Sequence, residues 1–283
     1  MSAVMAGSGV GMFILMPATQ LIIEKIGWRG TFILIAAVHL LFLIPLNLIF
    51  QRDRPEDMGL RPDGNFQGFN QNGEGFENEQ TEIQKGLWTL SGALRNRSFW
   101  MICVALFCNP MAILTITLHQ VAFVVERGFE AAYAASILGL AGVVSIGGRI
   151  ISGIIADRRG KEIAFSLFMG AAGTGVVLLL FLNPQRGWIL PVYVFLLGQG
   201  LGVGASLFPP MIADLFSGPT LGRIMGLIYA FAGFGTAIGS WSVGYLHDLT
   251  GDYTWGFTGI LLPIIIAITC VWVAAPRNAG QYV

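Results

Sequence analysis

Eight long apolar runs constrain this chain more than any other feature of its sequence. As a helix, each is long enough to cross the ~30 Å hydrocarbon core of a bilayer, which takes about 20 residues. They cover residues 3–23, 30–50, 99–125, 131–156, 163–182, 188–213, 221–247 and 255–275. Only 11% of the residues are charged, whereas soluble domains carry about 25%. The sequence therefore predicts an all-α integral membrane protein with about eight transmembrane helices.

Basic residues between the runs predict the orientation. Most of the arginines and lysines fall in inner loops if both termini lie in the cytoplasm, as the positive-inside rule requires. Residues 51–98 are polar and rich in Gly, Asn and Gln, which is typical of a linker. We therefore expect two helices in residues 1–50, a cytoplasmic central loop in residues 51–98, a six-helix bundle in residues 99–275 and a cytoplasmic tail in residues 276–283.

Arg149 is the single charged residue of the run 131–156. An arginine in hydrocarbon costs at least about 2.5 to 3.5 kcal/mol, so its presence needs a reason. Its guanidinium offers a permanent charge and a planar fork of donors that suits a carboxylate or a phosphate. The residue therefore predicts a carrier of a small anion. In the alternative, Arg149 extends to the cytoplasmic side, because Asp157 lies only about two turns further along the helix.

The six helices of residues 99–275 fall into two groups of three that would cross the membrane in opposite senses, as in inverted-repeat transporters. Two of the spans are rich in glycine, which lets helices approach closely or slide past one another. Tight static packing is the alternative. These glycines are Gly198, Gly200, Gly202 and Gly204 in one span, and Gly226, Gly233, Gly235, Gly239 and Gly244 in the next.

Two motifs resemble those of the monocarboxylate transporters of the major facilitator superfamily. The first, GWRGTF, includes Gly27, Trp28, Arg29, Gly30 and Phe32; the second, GRIISGIIADRRGK, includes Gly153, Asp157, Arg158, Gly160 and Lys161. The resemblance implies a fold of twelve helices in two six-helix halves, and this sequence matches helices five to twelve. We therefore expect an N-terminally truncated sequence, either a fragment of a carrier or a non-transporting membrane remnant.

The resemblance also implies a function, the alternating-access transport of a small monocarboxylate together with a proton, in the plasma membrane. Arg149 matches the family arginine that holds the substrate carboxylate, four residues before a glycine, here Gly153. Four residues before the arginine the family has an aspartate that shares in proton coupling. This chain has Ser145 there, which can accept a hydrogen bond from Arg149 but cannot take up a proton. A dicarboxylate or other organic anion exchanger is the alternative, although the lysine of those carriers in helix eleven has no counterpart here.

Three further features have both a functional and a structural interpretation. His119 is a titratable group within a span and is our candidate for proton coupling, or else a hydrogen-bonded packing residue. Asn109 and Pro110 predict a helix kink that serves gating or only packing. The residues Gly153, Asp157, Arg158, Gly160 and Lys161 predict a conformational latch, or else a solvated cytoplasmic turn.

The sequence has no phosphate-binding glycine loop after a strand, no cluster of histidines and carboxylates with metal-ligand spacing, and no nucleophile elbow. We therefore expect neither an enzyme nor a cofactor, a metal or a nucleic-acid partner. For the 283 residues expressed by themselves, we expect no saturable transport and a tendency to self-associate, because polar faces would lack their covering helices.

Overall fold

The computed structural model of the chain describes residues 2–50 and 88–274, and every regular element in these ranges is a helix. Met1–Pro17 and Gly86–Val283 form one compact unit, and Ala18–Lys85 forms a second. Seven helical stretches of the described residues are long and apolar enough to cross a membrane. The predicted all-α membrane fold is therefore confirmed in these ranges. Most of the predicted central loop, residues 51–87, and the tail, residues 275–283, lie outside the described residues.

A break at Gly27 divides the first helical stretch. This stretch runs from α1 (Ser2–Val38) through a π-helical turn (His39–Leu43) into α2 (Ile44–Phe50). Gly27 has φ 72° and ψ 165°, a conformation that glycine adopts without a steric clash. The Thr31 hydroxyl donates to the Gly27 carbonyl at 2.9 Å. Gly27 lies between the two predicted spans, residues 3–23 and 30–50, whereas Phe13–Ile49 forms one of the seven apolar stretches.

Six long helices follow, at the positions that the sequence predicts. They are α4 (Arg97–Glu126), α5 (Ala131–Arg159), α6 (Lys161–Leu180), α7 (Ile189–Leu215), α8 (Leu221–Thr250) and α9 (Thr254–Ala274), preceded by the short α3 (Leu90–Arg95). Side chains cap the N-termini of α3 and α4. The Thr89 hydroxyl accepts from the Gly92 amide at 3.1 Å, and the Asn96 side chain accepts from the Ser98 amide at 2.7 Å.

The packing of the six helices has an internal symmetry. The first helix of the first group, α4, packs mainly against α8 and α9, and the first helix of the second group, α7, packs mainly against α5 and α6. Each group therefore supplies one helix that packs against the last two helices of the other group. An arrangement of this kind is typical of inverted repeats. Between the helices lie aromatic and aliphatic side chains with no exposed surface, such as Phe99, Phe165 and Phe208.

Glycines occupy the closest crossing of α4 and α8. A Cβ atom on Gly235 would lie 2.0 Å from the Phe107 carbonyl oxygen, and one on Gly239 would lie 2.7 Å from the Met111 carbonyl oxygen. Any side chain at these positions would push the two helices apart. Gly233 differs, because nothing lies within 4 Å of its Cβ position. Close helix packing therefore explains Gly235 and Gly239 but not Gly233.

This difference predicts unequal effects of two alanine substitutions in α8. We expect Gly235→Ala to lower the melting temperature of the purified protein, because overpacking costs about 1 to 3 kcal/mol. Gly233→Ala is the matched control, since it changes the same residue type two positions away and meets open space. Thermal unfolding in detergent measures both. Equal melting temperatures for the two variants would contradict the close crossing.

Candidate functional site

Arg149 lies half-buried in α5, where this helix crosses α7. Its Cγ atom is only 2.7 Å from the position that a Cβ on Gly202 of α7 would occupy. The aliphatic stem of the arginine therefore passes directly over Gly202. This placement brings a permanent cation to the contact between two apolar helices.

Ser145 lies one turn before Arg149 and is 2% exposed. Its hydroxyl donates to the Gly142 carbonyl of the same helix at 2.6 Å. The hydroxyl proton is therefore used within α5, whereas the oxygen keeps lone pairs that can accept a hydrogen bond. Ser145 thus adds a hydrogen-bond acceptor, but no titratable group, to the contact between α5 and α7. We call this contact, around Arg149 and Gly202, the seam.

Further polar groups line the seam between α5 and α7. A Cβ on Gly148 would lie 3.1 Å from the Cα of Gln199, so the backbones of the two helices nearly touch there. The hydroxyl of Ser152 donates to the Arg149 carbonyl at 3.0 Å and lies 3.1 Å from the hydroxyl of Ser206 in α7. Sequence reasoning missed Gln199, Ser152 and Ser206. The spacing of four residues from Gly202 to Ser206, which places both on one face of α7, was the available signal.

His119 of α4 lies half-buried against α8. Its Nε2 atom is 3.1 Å from the Ser240 carbonyl oxygen, and because a carbonyl only accepts, Nε2 is the donor. The His119 ring also lies 5.4 Å from the ring of Tyr253. The structural interpretation, a hydrogen-bonded packing residue, accounts for these contacts. A proton would have to enter and leave at Nδ1.

Asn109 connects three helices. Its Nδ2 atom donates to the Met169 sulfur of α6 at 3.1 Å, and its Oδ1 atom lies 2.5 Å from the position of a Cβ on Gly204 of α7. Both Asn109 and Pro110 are buried, and α4 is helical from Arg97 to Glu126. Asn109 therefore has a packing role at the junction of α4, α6 and α7.

Four predicted latch residues lie at the junction of α5 and α6, and the fifth, Gly153, lies about two turns earlier in α5. Asp157 and Arg158 are exposed, and nothing lies within 4 Å of a Cβ position on Gly153. Gly160 has φ 105° and separates the two helices. Since an L side chain rarely adopts this φ, the sharp junction depends on a glycine at position 160.

Lys161 makes an ionic contact at this junction. Its Nζ atom donates to the Pro210 carbonyl at 3.0 Å and also to the Asp214 carboxylate. The start of α6 is thereby tied to the end of α7. Sequence reasoning named Lys161 but missed Asp214, whose position near the end of an apolar run offered no sign of a partner 53 residues away.

The opposite end of the bundle carries a second group of charged contacts. Arg127, after α4, donates to the Thr254 hydroxyl at 2.6 Å and lies 3.4 Å from the Asp252 carboxylate. The Nε2 atom of His247 lies 2.8 Å from the Glu126 carboxylate. These contacts tie the end of α4 to the turn between α8 and α9. None of them was predicted.

Asp252 has a lowered pKa. Burial raises the pKa of its carboxyl, but hydrogen bonds from the Thr254 side chain and backbone and the positive charges of Arg127 and His247 outweigh burial. The Thr254 amide and hydroxyl lie 2.8 and 2.7 Å from the carboxylate. Asp252 is therefore a charged anchor for the first turn of α9.

A buried polar pair joins α4 to α7. The Tyr193 hydroxyl donates to the Gln120 side-chain oxygen, and these residues are 0% and 1% exposed. Sequence reasoning missed this pair too. Gln120 directly follows His119, and a polar residue in an apolar run was the signal.

The sequence profile described as Major Facilitator Superfamily matches residues 1–211. Monocarboxylate transporter 12 of Rattus norvegicus is 24% identical over 268 residues, which are 89% of this chain and 54% of that protein. Monocarboxylate transporter 13 of Rattus norvegicus is 25% identical over 98% of this chain and 62% of its own. Monocarboxylate transporter 11 of Homo sapiens is 23% identical over 96% of this chain and 55% of that protein. The predicted resemblance is thus confirmed, and the chain spans 54% to 62% of the length of these relatives.

The lowered pKa of Asp252 predicts a pH-dependent contribution to stability. The charged carboxylate stabilises the fold above its ordinary pKa of 3.8, and this stabilisation is lost as the pH falls through the lower pKa of the folded state. We therefore expect Asp252→Asn to lower the melting temperature at about pH 7 and to have a smaller effect at about pH 3, below the ordinary pKa. Asp248→Asn is the control, since the Asp248 side chain is 82% exposed. The same loss at both pH values would contradict the charged anchor.

Proposed function

Because the chain belongs to the Major Facilitator Superfamily, we propose that it is part of a secondary transporter that moves a small monocarboxylate by alternating access. The observation that carries this proposal is Arg149 at the seam between α5 and α7. The names of the relatives, monocarboxylate transporters 11, 12 and 13, favour a monocarboxylate over other anions.

In this proposal Arg149 binds the substrate carboxylate. Its planar guanidinium donates two parallel hydrogen bonds to the two carboxylate oxygens, which gives both strength and a fixed orientation. The hydroxyl oxygen of Ser145, one turn away, accepts a further hydrogen bond from the arginine or from a hydroxyl group of the substrate. The low dielectric constant of the seam strengthens the attraction between the guanidinium and the carboxylate.

We propose that a proton accompanies the substrate and that His119 carries it. Ser145 has no titratable proton in the relevant pH range, so the coupling group must lie elsewhere. His119 donates from Nε2 to Ser240, which leaves Nδ1 as the atom that takes up and releases the proton. Protonation then adds a positive charge at the contact between α4 and α8.

The remaining assignments concern orientation and gating. We propose that both termini and the central loop lie in the cytoplasm of a plasma-membrane protein, so that the junction of α5 and α6 is also cytoplasmic. There Gly153, Asp157, Arg158, Gly160 and Lys161 act as a latch, and the ion pair of Lys161 with Asp214 supports this role. The bend expected at Asn109 and Pro110 gives α4 the flexibility for gating.

A charge-conserving substitution tests the substrate site. In membrane vesicles that contain the gene product carrying these residues, we expect Arg149→Lys to lower the uptake of labelled lactate or pyruvate about tenfold or more. Lysine keeps the charge but loses the two-pronged geometry. Arg186→Lys, an exposed arginine after α6, is the matched control. Normal uptake by Arg149→Lys at an equal amount in the membrane would exclude the substrate role.

A second substitution tests the proton site. The side-chain amide of His119→Gln can still donate to the Ser240 carbonyl, so the packing contact is kept while the titratable group is removed. We expect exchange of labelled for unlabelled carboxylate to continue, and acid-stimulated net uptake to be lost, because exchange needs no return of the empty carrier. Full acid stimulation in the variant would remove His119 from the mechanism.

A further inference from the structure

We infer that Gly202 is a positioning residue for Arg149, an inference that rests on the proposed function. Gly202 is the residue of α7 over which the stem of Arg149 passes. A Cβ at Gly202 would lie 2.7 Å from the Arg149 Cγ and 3.0 Å from its backbone nitrogen. Real Cβ atoms do not approach other atoms this closely, so the path of the arginine side chain depends on the missing side chain at position 202.

The close approach of α7 at Gly202 restricts the stem of Arg149 on that side. Arg149 has several rotatable bonds, and ordering such a side chain costs free energy each time that it binds a ligand. A stem held against α7 loses much of this freedom before the ligand arrives. The guanidinium is therefore partly preorganised, which favours two simultaneous hydrogen bonds to a carboxylate.

A neighbouring glycine separates this role from general helix packing. Gly198 lies one turn before Gly202 on the same face of α7, and it also packs against α5. A Cβ on Gly198 would lie 2.6 Å from the Cβ of Val144 and 2.9 Å from the Ala141 carbonyl oxygen, so its nearest neighbours belong to the turn before Arg149. A Cβ on Gly202 would lie 2.6 Å from the Ser145 carbonyl oxygen. Alanine at either position therefore separates α5 from α7 to a similar degree, but only alanine at 202 displaces the arginine.

Transport kinetics test the consequence of this displacement. In membrane vesicles that contain the gene product carrying these residues, we expect Gly202→Ala to raise the KM for the labelled monocarboxylate about tenfold, as if one hydrogen bond of the fork were lost. Gly198→Ala should change the KM much less at an equal amount in the membrane. Equal KM values for the two variants would overturn the positioning role.

A double-substitution cycle tests the contact itself without transport. We expect Gly202→Ala to lower the melting temperature by about 2 °C less when Arg149→Ala is also present, because the clashing Cγ atom is gone. Gly198→Ala should lower the melting temperature by the same amount whether position 149 is arginine or alanine.

The double-substitution cycle tests the inference, and uptake by Arg149→Lys tests the proposed function, so failure of one can be told from failure of the other. Absence of coupling between positions 202 and 149 would contradict the positioning role, whatever the protein transports. Normal uptake by Arg149→Lys would contradict the proposed function, even where the coupling is found. If Gly202→Ala fails to accumulate, the amount of the double variant Gly202→Ala with Arg149→Ala in the membrane gives the same test, and a failure of this second substitution to restore accumulation counts against the inference.

Discussion

Close contact between helices at glycines is the constraint on which this structure depends. In α7, four glycines at alternate positions face three different neighbours: Gly198 and Gly202 face α5, Gly200 faces α6, and Gly204 faces Asn109 of α4. In hydrocarbon there is little hydrophobic driving force between helices, so they associate through packing and hydrogen bonds. Small residues let backbones approach closely enough for both. The glycines of α7 thus allow this helix to pack closely against α4, α5 and α6.

The same close contact makes a charged residue tolerable in an apolar helix. Arg149 lies on the face of α5 that meets Gly202, beside the serines and the glutamine of the seam, and is only half-buried. A cation at such a position packs against the neighbouring helix and has polar groups nearby. At both ends of the bundle, ion pairs tie helices that are distant in sequence, such as Lys161 with Asp214 and Arg127 with Asp252. In the six-helix bundle that the structure describes, these charged side chains therefore lie at helix contacts and helix ends.

The helices were predictable from the sequence, and their partners were not. Apolar runs give each span directly, because every backbone group must be bonded within its own helix in a bilayer. The break at Gly27 and the junction at Gly160 were both within motifs that the sequence displays. The partners of His119, Asn109 and Lys161 come from other helices and depend on helix rotation, which hydropathy does not encode. For this reason Asp214, Gln199 and Tyr193 were missed, although each contacts a helix that was predicted.

Protection of Arg149 from chemical modification tests the account most directly. In membrane vesicles that contain the gene product carrying these residues, an arginine-specific dicarbonyl reagent modifies accessible guanidinium groups, and peptide mass spectrometry measures the modified fraction at each position. A carboxylate held by the guanidinium blocks the reaction there. We expect a saturating monocarboxylate to slow modification of Arg149 but not of the exposed Arg186, with half-protection near the KM for transport. Modification of Arg149 at the same rate with and without the monocarboxylate would contradict its role in the substrate site.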